Sequence, residues 1–297
     1  MKPLEGKVAV VAGSTRGAGR GIAVSLGEAG ATVYCTGRST EGNPSPMKRP
    51  ETIEQTARMV TESGGEGIPV RTDHLIEEEV KALFSLVERE QDGRLDILVN
   101  DIWGAESLVE FGKPFWECDL DKAFQIEKSA LHTHMITSKY GVPLMLKHGS
   151  GLILEITDGV NYDYRGSLPY SLAKIGTIHL AEAMAGDLSR EGYEQITAMA
   201  LTPGFLRSEE MLEMFGVTEE NWKDGARVDP DFISSESPRY VGRAAASLAA
   251  DPSLSRFHGT AQSSWGLMHE YGFTDLDGTQ PDWGSYFEEK YGRDTDH

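Results

Sequence analysis

The sequence contains little cysteine and little positive charge. Only two cysteines, Cys35 and Cys118, occur among 297 residues, and neither has the spacing of a metal site or of a disulfide framework. The 28 Lys and Arg residues are outnumbered by 47 Asp and Glu residues, which gives a formal net charge of -19. Nucleic acids and anionic membranes both bind basic patches, so this balance disfavours both as partners.

Long apolar runs are also missing. No stretch reaches the length of a membrane-spanning helix, and the first residues lack the basic-then-apolar pattern of a signal peptide. No internal repeat or low-complexity tract interrupts the chain. We therefore expect a cytoplasmic protein with no membrane contact.

Short apolar runs alternate with helical patterns along most of the chain. The runs predict strands at 7–12, 31–36, 67–72, 95–100, 152–156 and 196–201, with a weak seventh near 260–264. Helical spacing lies between them at 20–29, 52–63, 77–90, 119–147, 171–190 and 238–250, and we expect a break or kink near Pro143. Alternating units of this kind form right-handed βαβ crossovers. The sequence predicts an α/β fold, a single doubly wound parallel sheet of six to seven strands (Rossmann-like) with helices on both faces.

This rhythm predicts one dinucleotide-binding domain over residues 1–297. Residues 208–235 break the pattern, because they place Met, Phe and Trp side chains among many acids. We interpret this segment as a substrate lid. The end of the chain, 282–297, is predicted to be a polar and loosely ordered tail.

A glycine-rich turn follows the first strand directly. Residues 13–19 read G-x-x-x-G-x-G, with Ser14 and Arg16 between the glycines. Gly13 permits a tight turn, Gly17 lets a pyrophosphate approach the backbone, and Gly19 lets the helix pack on the sheet. The free N–H groups at the start of the next helix would then face the phosphates. The position of this turn, between first strand and first helix, favours a dinucleotide site.

The residues after the second strand indicate which dinucleotide binds. An NAD site has an acid there for the ribose hydroxyls, whereas this chain has Arg38 and no acid. Arg16 and Arg38 are predicted to hold a 2′-phosphate, so the predicted cofactor is NADP(H). Asp73 either meets the adenine edge or caps a helix start. Asn100 either ties neighbouring backbone or caps a turn.

Tyr170 and Lys174 form a Y-x-x-x-K pattern at the start of a predicted helix. A spacing of four places both side chains on one face. The reference pKa of tyrosine is too high for easy proton transfer, and a nearby ammonium lowers it. The pair therefore predicts a general acid for carbonyl reduction and a base for the reverse reaction.

Several blocks together resemble the short-chain dehydrogenase/reductase family, over nearly the whole chain from Gly6 to about Gly278. They read VAGSTRGAGRGIA, LDILVND, YSLAK and LTPGFLRSE. Within the family, the late stretch YGFTDLDG at 271–278 most resembles the member-1-type dehydrogenase/reductases. By this resemblance the LTPGFLRSE block would cradle a nicotinamide carboxamide with Pro203, Gly204, Leu206 and Ser208.

The chain departs from the family pattern at two positions of the expected catalytic set. The serine that usually polarises the substrate oxygen becomes Thr157 when counted back from Tyr170, and Asp158 when counted along the fifth strand. A threonine hydroxyl can replace the serine, whereas an ionised aspartate cannot donate a hydrogen bond unless an apolar site keeps it protonated. The helix asparagine of the usual proton relay becomes Ala130, so water or a nearby polar side chain would have to replace it.

The remaining aromatic and histidine residues give weaker signals. Six aromatic residues follow strand ends and would line either an apolar pocket or a core or subunit contact; they are Trp103, Phe111, Phe115, Trp116, Tyr162 and Tyr164. His132 and His134 lie two apart on a helix and do not share a face, so no metal site is expected.

These features predict an NADP(H)-dependent oxidoreductase that moves a hydride between nicotinamide and a carbonyl or alcohol carbon of a small, apolar substrate. We expect a homo-oligomer, either a dimer or a tetramer. The main alternative is a catalytically impaired NADP(H)-binding regulator or scaffold, since Asp158, Asp101 and Ala130 are unusual. An epimerase or dehydratase on the same fold is a third possibility.

Overall fold

The structure is a computed structural model that describes residues 2–44 and 49–292. The last five residues of the predicted polar tail, 293–297, lie outside the described residues.

One parallel sheet organises the described part of the chain, as the alternating pattern predicts. Its seven strands are β1 Val8–Ala12, β2 Thr32–Gly37, β3 Glu66–Arg71, β4 Ile97–Asn100, β5 Gly151–Ile156, β6 Ile196–Thr202 and β7 Ala261–Ser263. The spatial order is β3-β2-β1-β4-β5-β6-β7, and every neighbouring pair is parallel. The predicted fold class is confirmed. The strand order reverses between β1 and β4, which is where ligands bind in such sheets.

Helices cover both faces of the sheet. They are α1 Gly17–Glu28, α2 Ile53–Glu62, α3 Glu77–Glu90, α4 Leu120–Glu127, α5 Thr133–His148, α6 Leu168–Arg190, α7 Glu209–Met214, α8 Pro238–Ala250, α9 Ser264–Tyr271 and α10 Trp283–Tyr291. Short 3-10 turns lie at 106–108, 115–117, 222–227, 230–234 and 254–257.

Alternation along the strands builds two apolar cores, one on each face. In β1, Ala9 and Val11 pack with Ile22 of α1 and Val241 of α8. Val8 and Val10 point to the opposite face, among side chains of α3 and α5. Successive side chains of a strand face opposite ways, so one buried run supplies both cores. Because the strands are parallel, their carboxyl ends lie at one edge of the sheet.

The long helical pattern at 119–147 is interrupted, but not where proline predicts. α5 runs through Pro143 without interruption, so the expected break there is wrong. The irregularity is a π-helical turn, Lys128–His132, between α4 and α5. There the Thr133 hydroxyl donates to the Ser129 carbonyl at 2.7 Å, which competes with the regular backbone ladder. Turns of this kind often lie at functional sites.

The segment from Asp282, predicted as a loose polar tail, contains α10. The Asp282 carboxylate caps this helix by accepting from the Ser285 N–H at 2.9 Å. The Trp283 ring packs against Phe205, with ring centres 5.7 Å apart. One aromatic side of α10 therefore anchors it beside the loop that follows β6.

Candidate active site

A cleft of about 690 Å³ opens at the carboxyl ends of the strands. Thirteen of the residues predicted for the site line it: Gly13, Arg16, Gly17, Arg38, Asp73, Thr157, Asp158, Tyr170, Lys174, Pro203, Gly204, Leu206 and Ser208. The three others lie behind its wall. Ser14 and Asn100 are wholly buried, and Gly19 packs against the turn that begins at Gly13. The fold thus gathers residues from distant blocks into a single cavity.

The glycines of the turn are required by its geometry. Gly13 has φ +88°, and a Cβ there would lie 2.3 Å from the Asp101 carbonyl oxygen. A Cβ on Gly19 would lie 2.5 Å from the Gly13 carbonyl oxygen. At Gly17 a Cβ would meet no atom within 4 Å, so the requirement for glycine there comes from its backbone angle, φ +58°.

A carboxylate already binds at the start of α1. Glu209, the first residue of α7, accepts a hydrogen bond from the Gly17 N–H at 2.8 Å. Its other oxygen lies 3.4 Å from the Arg20 guanidinium. A helix N-terminus favours anions because its N–H groups and its dipole both attract negative charge. Sequence reasoning missed Glu209, since nothing local signals a contact with a residue 192 positions earlier.

Two arginines line the far end of the cleft. Arg38 is half-buried and pairs with no carboxylate in the described part of the chain. Arg16 lies 3.7 Å from Glu106. No acid projects into the cleft from the end of β2, where the residues are Gly37, Arg38 and Ser39.

The two residues with alternative predicted roles behave differently. The Asp73 carboxylate accepts from the Leu75 N–H at 3.0 Å, so it caps the turn ahead of α3 while it also lines the cleft. The Asn100 side chain neither ties backbone nor caps a turn. Its amide donates to Glu155 at 2.6 Å and to Ser138 at 2.9 Å, beneath the cleft floor.

That buried network extends to the cleft through a histidine. His134 pairs with Glu155 at 2.6 Å and bonds the Ile102 carbonyl at 3.1 Å. Ile102 lies between Asp101 and Trp103, which both line the cleft. His134 thus supports this loop from beneath the cleft. No group of three or more potential metal ligands occurs in the described ranges.

Tyr170, near the start of α6, donates its hydroxyl proton to Asp158 at 2.8 Å. The ring lies edge-on to Trp103 and Phe111, with centres 5.7 and 5.5 Å away. Burial, and then the charge of Asp158, raise the pKa of Tyr170 above its ordinary value. Burial and Asp158 thus set a net shift opposite to the lowering expected from Lys174, and Tyr170 is a neutral phenol that holds its proton.

Lys174 lies one helical turn from Tyr170 on the same face. Its ammonium sits over the Trp103 ring, 4.1 Å from the centre, and 5.7 Å from the Tyr170 ring centre. Burial lowers the pKa of Lys174, while the charges of Asp158 and Asp101 oppose that shift. Trp103 compensates part of the lost hydration by cation–π attraction.

The two ways of counting the serine position give Thr157 and Asp158, and the structure places these two side chains differently. β5 ends at Ile156, so strand alternation does not govern either residue. The Thr157 hydroxyl donates to the Lys174 carbonyl at 2.7 Å and is turned into α6. Asp158 is the residue in contact with the Tyr170 hydroxyl.

The loop after β6 joins the cleft to the lid segment. The Gly204 N–H donates to Glu236 at 2.8 Å, and burial raises the pKa of that carboxyl to about 8. Ser208 caps α7, since its hydroxyl accepts from the Met211 N–H at 3.3 Å. Met211 and Met214 of α7 line the cleft, so the predicted lid segment borders it.

Arg207 holds the base of this segment. Its guanidinium, fully buried, contacts Asp275 at 2.9 Å and Glu219 at 2.7 Å. It also donates to the Ser235 carbonyl at 2.5 Å and lies 4.0 Å from the centre of the Trp222 ring. Arg207 therefore ties the lid segment to the 271–278 stretch.

The six aromatic residues predicted near the site separate into three groups. Trp103 and Phe111 line the cleft beside Tyr170. Phe115 borders a separate small pocket. Trp116, Tyr162 and Tyr164 are exposed.

Comparison with known proteins agrees with this arrangement. Residues 7–215 match the family model described as short chain dehydrogenase. Dehydrogenase/reductase SDR family member 1 of Mus musculus is 36% identical over 282 residues, covering 94% of this chain and 86% of the relative. The Homo sapiens protein of the same name is 35% identical, covering 93% of this chain and 85% of the relative. The chain belongs to the short-chain dehydrogenase/reductase family.

Other members of this oxidoreductase family are also similar. The 7alpha-hydroxysteroid dehydrogenase of Clostridium sardiniense is 31% identical over 216 residues, covering 72% of this chain and 76% of the relative. The crystal structure of a short chain dehydrogenase from Mycobacterium thermoresistibile has a TM-score of 0.76 at 24% identity, covering 95% of this chain and 92% of that one. That likeness confirms the fold, and the sequence relatives confirm the member-1-type resemblance.

Two departures of this short-chain dehydrogenase/reductase from the family pattern, at Ala130 and Asp101, lie in or beside the cleft. Ala130 lies buried in the π-helical turn, and its neighbours Ser129 and Thr133 line the cleft with hydroxyls. Asp101 also lines the cleft, and burial raises the pKa of its carboxyl to about 7, against the opposing charge of Lys174. The Ala130 side chain itself packs in an apolar cluster with Ala105, Ile126 and Ala173, so the hydroxyls that line the cleft nearby come from its neighbours on the helix.

No helix in the described residues is long and apolar enough to cross a membrane.

Proposed function

We propose that the protein is an NADP(H)-dependent oxidoreductase that moves a hydride between nicotinamide and a carbonyl or alcohol carbon of a small, apolar substrate. The observation that carries this proposal is one cleft that holds both an anion-binding helix start at Gly17 and the Tyr170–Lys174 pair. The relative named as a hydroxysteroid dehydrogenase supports alcohol and ketone chemistry. The Trp103 and Phe111 rings and the two methionines of α7 support an apolar substrate.

The residues of the cleft fit the dinucleotide. The Gly17 N–H binds the Glu209 carboxylate at 2.8 Å, which supports an anion site at this position. Arg38 and Arg16 line the region after β2, where a 2′-phosphate would be held. When bound, the nicotinamide supplies or takes the hydride. Pro203, Gly204, Leu206 and Ser208 are the residues proposed to hold its carboxamide.

The chain's own residues handle the proton. Tyr170 is protonated at neutral pH and is the proposed general acid for a substrate oxygen. The phenolate that remains after donation lies on the same helix face as the Lys174 ammonium, which stabilises it. Asp158 accepts a hydrogen bond from the Tyr170 hydroxyl and thereby orients it.

Cofactor preference tests the role of Arg38. A charge-assisted contact to phosphate contributes roughly 1.5–3 kcal/mol, so NADPH should bind about tenfold or more tightly than NADH. Arg38→Ala should weaken NADPH by a similar factor and leave NADH nearly unchanged. Fluorescence titration of both cofactors measures this. Arg58→Ala is the control, since Arg58 is exposed and pairs with Glu41. Equal affinities of the wild type for NADPH and NADH would refute the preference.

Glu209 is expected to compete with the cofactor pyrophosphate for the Gly17 N–H. A phosphate must displace the carboxylate, whereas a neutral glutamine makes the weaker bond, so Glu209→Gln should tighten NADPH binding by roughly tenfold. Glu210→Gln is the matched control, because Glu210 follows on the same helix and lines the cleft. Calorimetric titration of both variants would separate direct competition from general charge repulsion. Weaker or unchanged binding in Glu209→Gln would show that the contact is only structural.

A homo-oligomer, dimer or tetramer, and a cytoplasmic location stay predictions. Exposed apolar residues around α4, namely Trp116, Leu120 and Phe124, support a subunit contact there.

A further inference from the structure

The contact between Tyr170 and Asp158 limits which substrates the site can take. Tyr170 has one hydroxyl proton, and it lies on Asp158 Oδ2 at 2.8 Å. Among the described residues, no other group donates a hydrogen bond to the Asp158 side chain. The second nearby donor, Arg165, instead bonds the Asp158 backbone carbonyl at 2.6 Å.

A simple ketone cannot satisfy both residues. A carbonyl oxygen and a carboxylate are both acceptors, so they compete for the single Tyr170 proton. When Tyr170 turns that proton to the substrate, Asp158 loses its donor in a half-buried position in the cleft wall. A partly buried acceptor left without a partner is unfavourable, and here the penalty falls in the reactive complex.

We propose that the substrate carries a hydrogen-bond donor, a hydroxyl or a protonated amine, on the carbon next to the reacting carbon. This inference rests on the proposed function and names its substrate class: α-hydroxy or α-amino ketones and the corresponding vicinal diols or amino alcohols. The substrate oxygen accepts from Tyr170 while the neighbouring group donates to Asp158. The 2.8 Å between the two protein oxygens matches two heteroatoms on adjacent carbons, so the two hydrogen bonds run side by side.

The reaction balances with this pairing. The hydride from nicotinamide adds to the carbonyl carbon, and the Tyr170 proton goes to the carbonyl oxygen. The neighbouring group keeps its proton and stays on Asp158.

A series of acetophenones tests the proposal with one aromatic frame. 2-Hydroxyacetophenone and protonated 2-aminoacetophenone carry the donor on the methyl carbon next to the carbonyl (2-hydroxy- and 2-amino-1-phenylethanone). 2-Methoxy-1-phenylethanone (2-methoxyacetophenone) and propiophenone do not carry a donor there. The methoxy compound is nearly matched to the hydroxy compound in electron withdrawal. With NADPH, we expect kcat/KM to be at least roughly tenfold higher for the hydroxy than for the methoxy compound. The amino compound then shows whether a charged donor is preferred to a neutral one.

Two variants test whether Asp158 causes the preference for the hydroxy ketone. Asp158→Ser should bring the hydroxy-to-methoxy ratio close to one, because serine donates to the carbonyl oxygen itself. Glu210→Gln, which removes another cleft carboxylate, should keep the ratio. Quenching of tryptophan fluorescence by the ketones in the presence of NADP⁺ gives a binding readout that does not depend on turnover.

The outcomes separate this inference from the proposed function. Equal kcat/KM and equal binding for the hydroxy and methoxy compounds in the wild type would overturn the donor requirement and leave the oxidoreductase intact. An unchanged hydroxy-to-methoxy ratio in Asp158→Ser would show that Asp158 does not cause the donor requirement. Turnover of none of the four ketones would overturn the proposed function, and this inference with it. The wild-type ratio requires no variant, so poor folding of Asp158→Ser does not decide the result.

Discussion

Tyr170→Phe is expected to lose roughly 10²–10⁴-fold in kcat while NADPH affinity stays nearly unchanged. The ring is held by edge contacts with Trp103 and Phe111, which phenylalanine preserves. Only the hydroxyl is removed, and with it the proton that the substrate oxygen receives. Steady-state kinetics with any turned-over ketone, together with a cofactor titration, measures the two effects separately.

Tyr164→Phe provides the control for this variant. Tyr164 lies in the loop that precedes α6 and is 68% exposed, so the loss of its hydroxyl should leave kcat unchanged. A Tyr170→Phe protein with most of its activity would mean that another group protonates the substrate. Asp101 would then be examined next, because the pKa of its carboxyl is raised to about 7 and it lines the cleft.

Arg207→Met is expected to lower the free energy of unfolding by roughly 3–5 kcal/mol. Methionine fills much of the same volume but leaves Asp275 buried without its ion-pair partner. Asp275 still accepts from the Ser237 N–H at 2.8 Å, which does not compensate the lost charge. Urea denaturation of both proteins gives the difference.

Arg227→Met is the matched control for that prediction. Arg227 lies in the predicted lid segment, 208–235, but its side chain is 82% exposed and pairs with Asp224 at the surface. Exposed pairs contribute little, so this variant should unfold at nearly the wild-type midpoint. Similar midpoints for both variants would show that the Arg207 contacts do not hold the lid base.

The fold was largely predictable because its signal is local. Each strand is a short apolar run, and β1 supplies both cores through simple alternation of its side chains. The helix starts were also visible, as at Thr52, which caps α2 by accepting from the Gln55 N–H at 3.2 Å. The prediction failed for the position of the interruption between α4 and α5. Pro143 lies inside α5, whereas the interruption is the π-helical turn in which the Thr133 hydroxyl donates to the Ser129 carbonyl.

The contacts of the site were less predictable because they join distant segments. Glu209 meets Gly17 across 192 residues, and Arg207 meets Asp275 across 68, so no periodicity connects them. Spacing could not decide between Thr157 and Asp158, since the answer depends on where β5 ends. The direction of the Tyr170 pKa shift depends on burial and on the orientation of Asp158, neither of which the Y-x-x-x-K pattern contains.

Isotope transfer tests the central claim most directly. The protein is incubated with 2-hydroxyacetophenone and NADPH that carries two deuterium atoms at C4 of the nicotinamide, and the product is analysed by mass spectrometry. We predict an alcohol with one deuterium on the carbinol carbon, produced by the wild type and nearly absent with Tyr170→Phe. Tight binding of NADPH with no deuterated alcohol formed from any ketone would contradict the account and indicate a cofactor-binding protein without reductase chemistry.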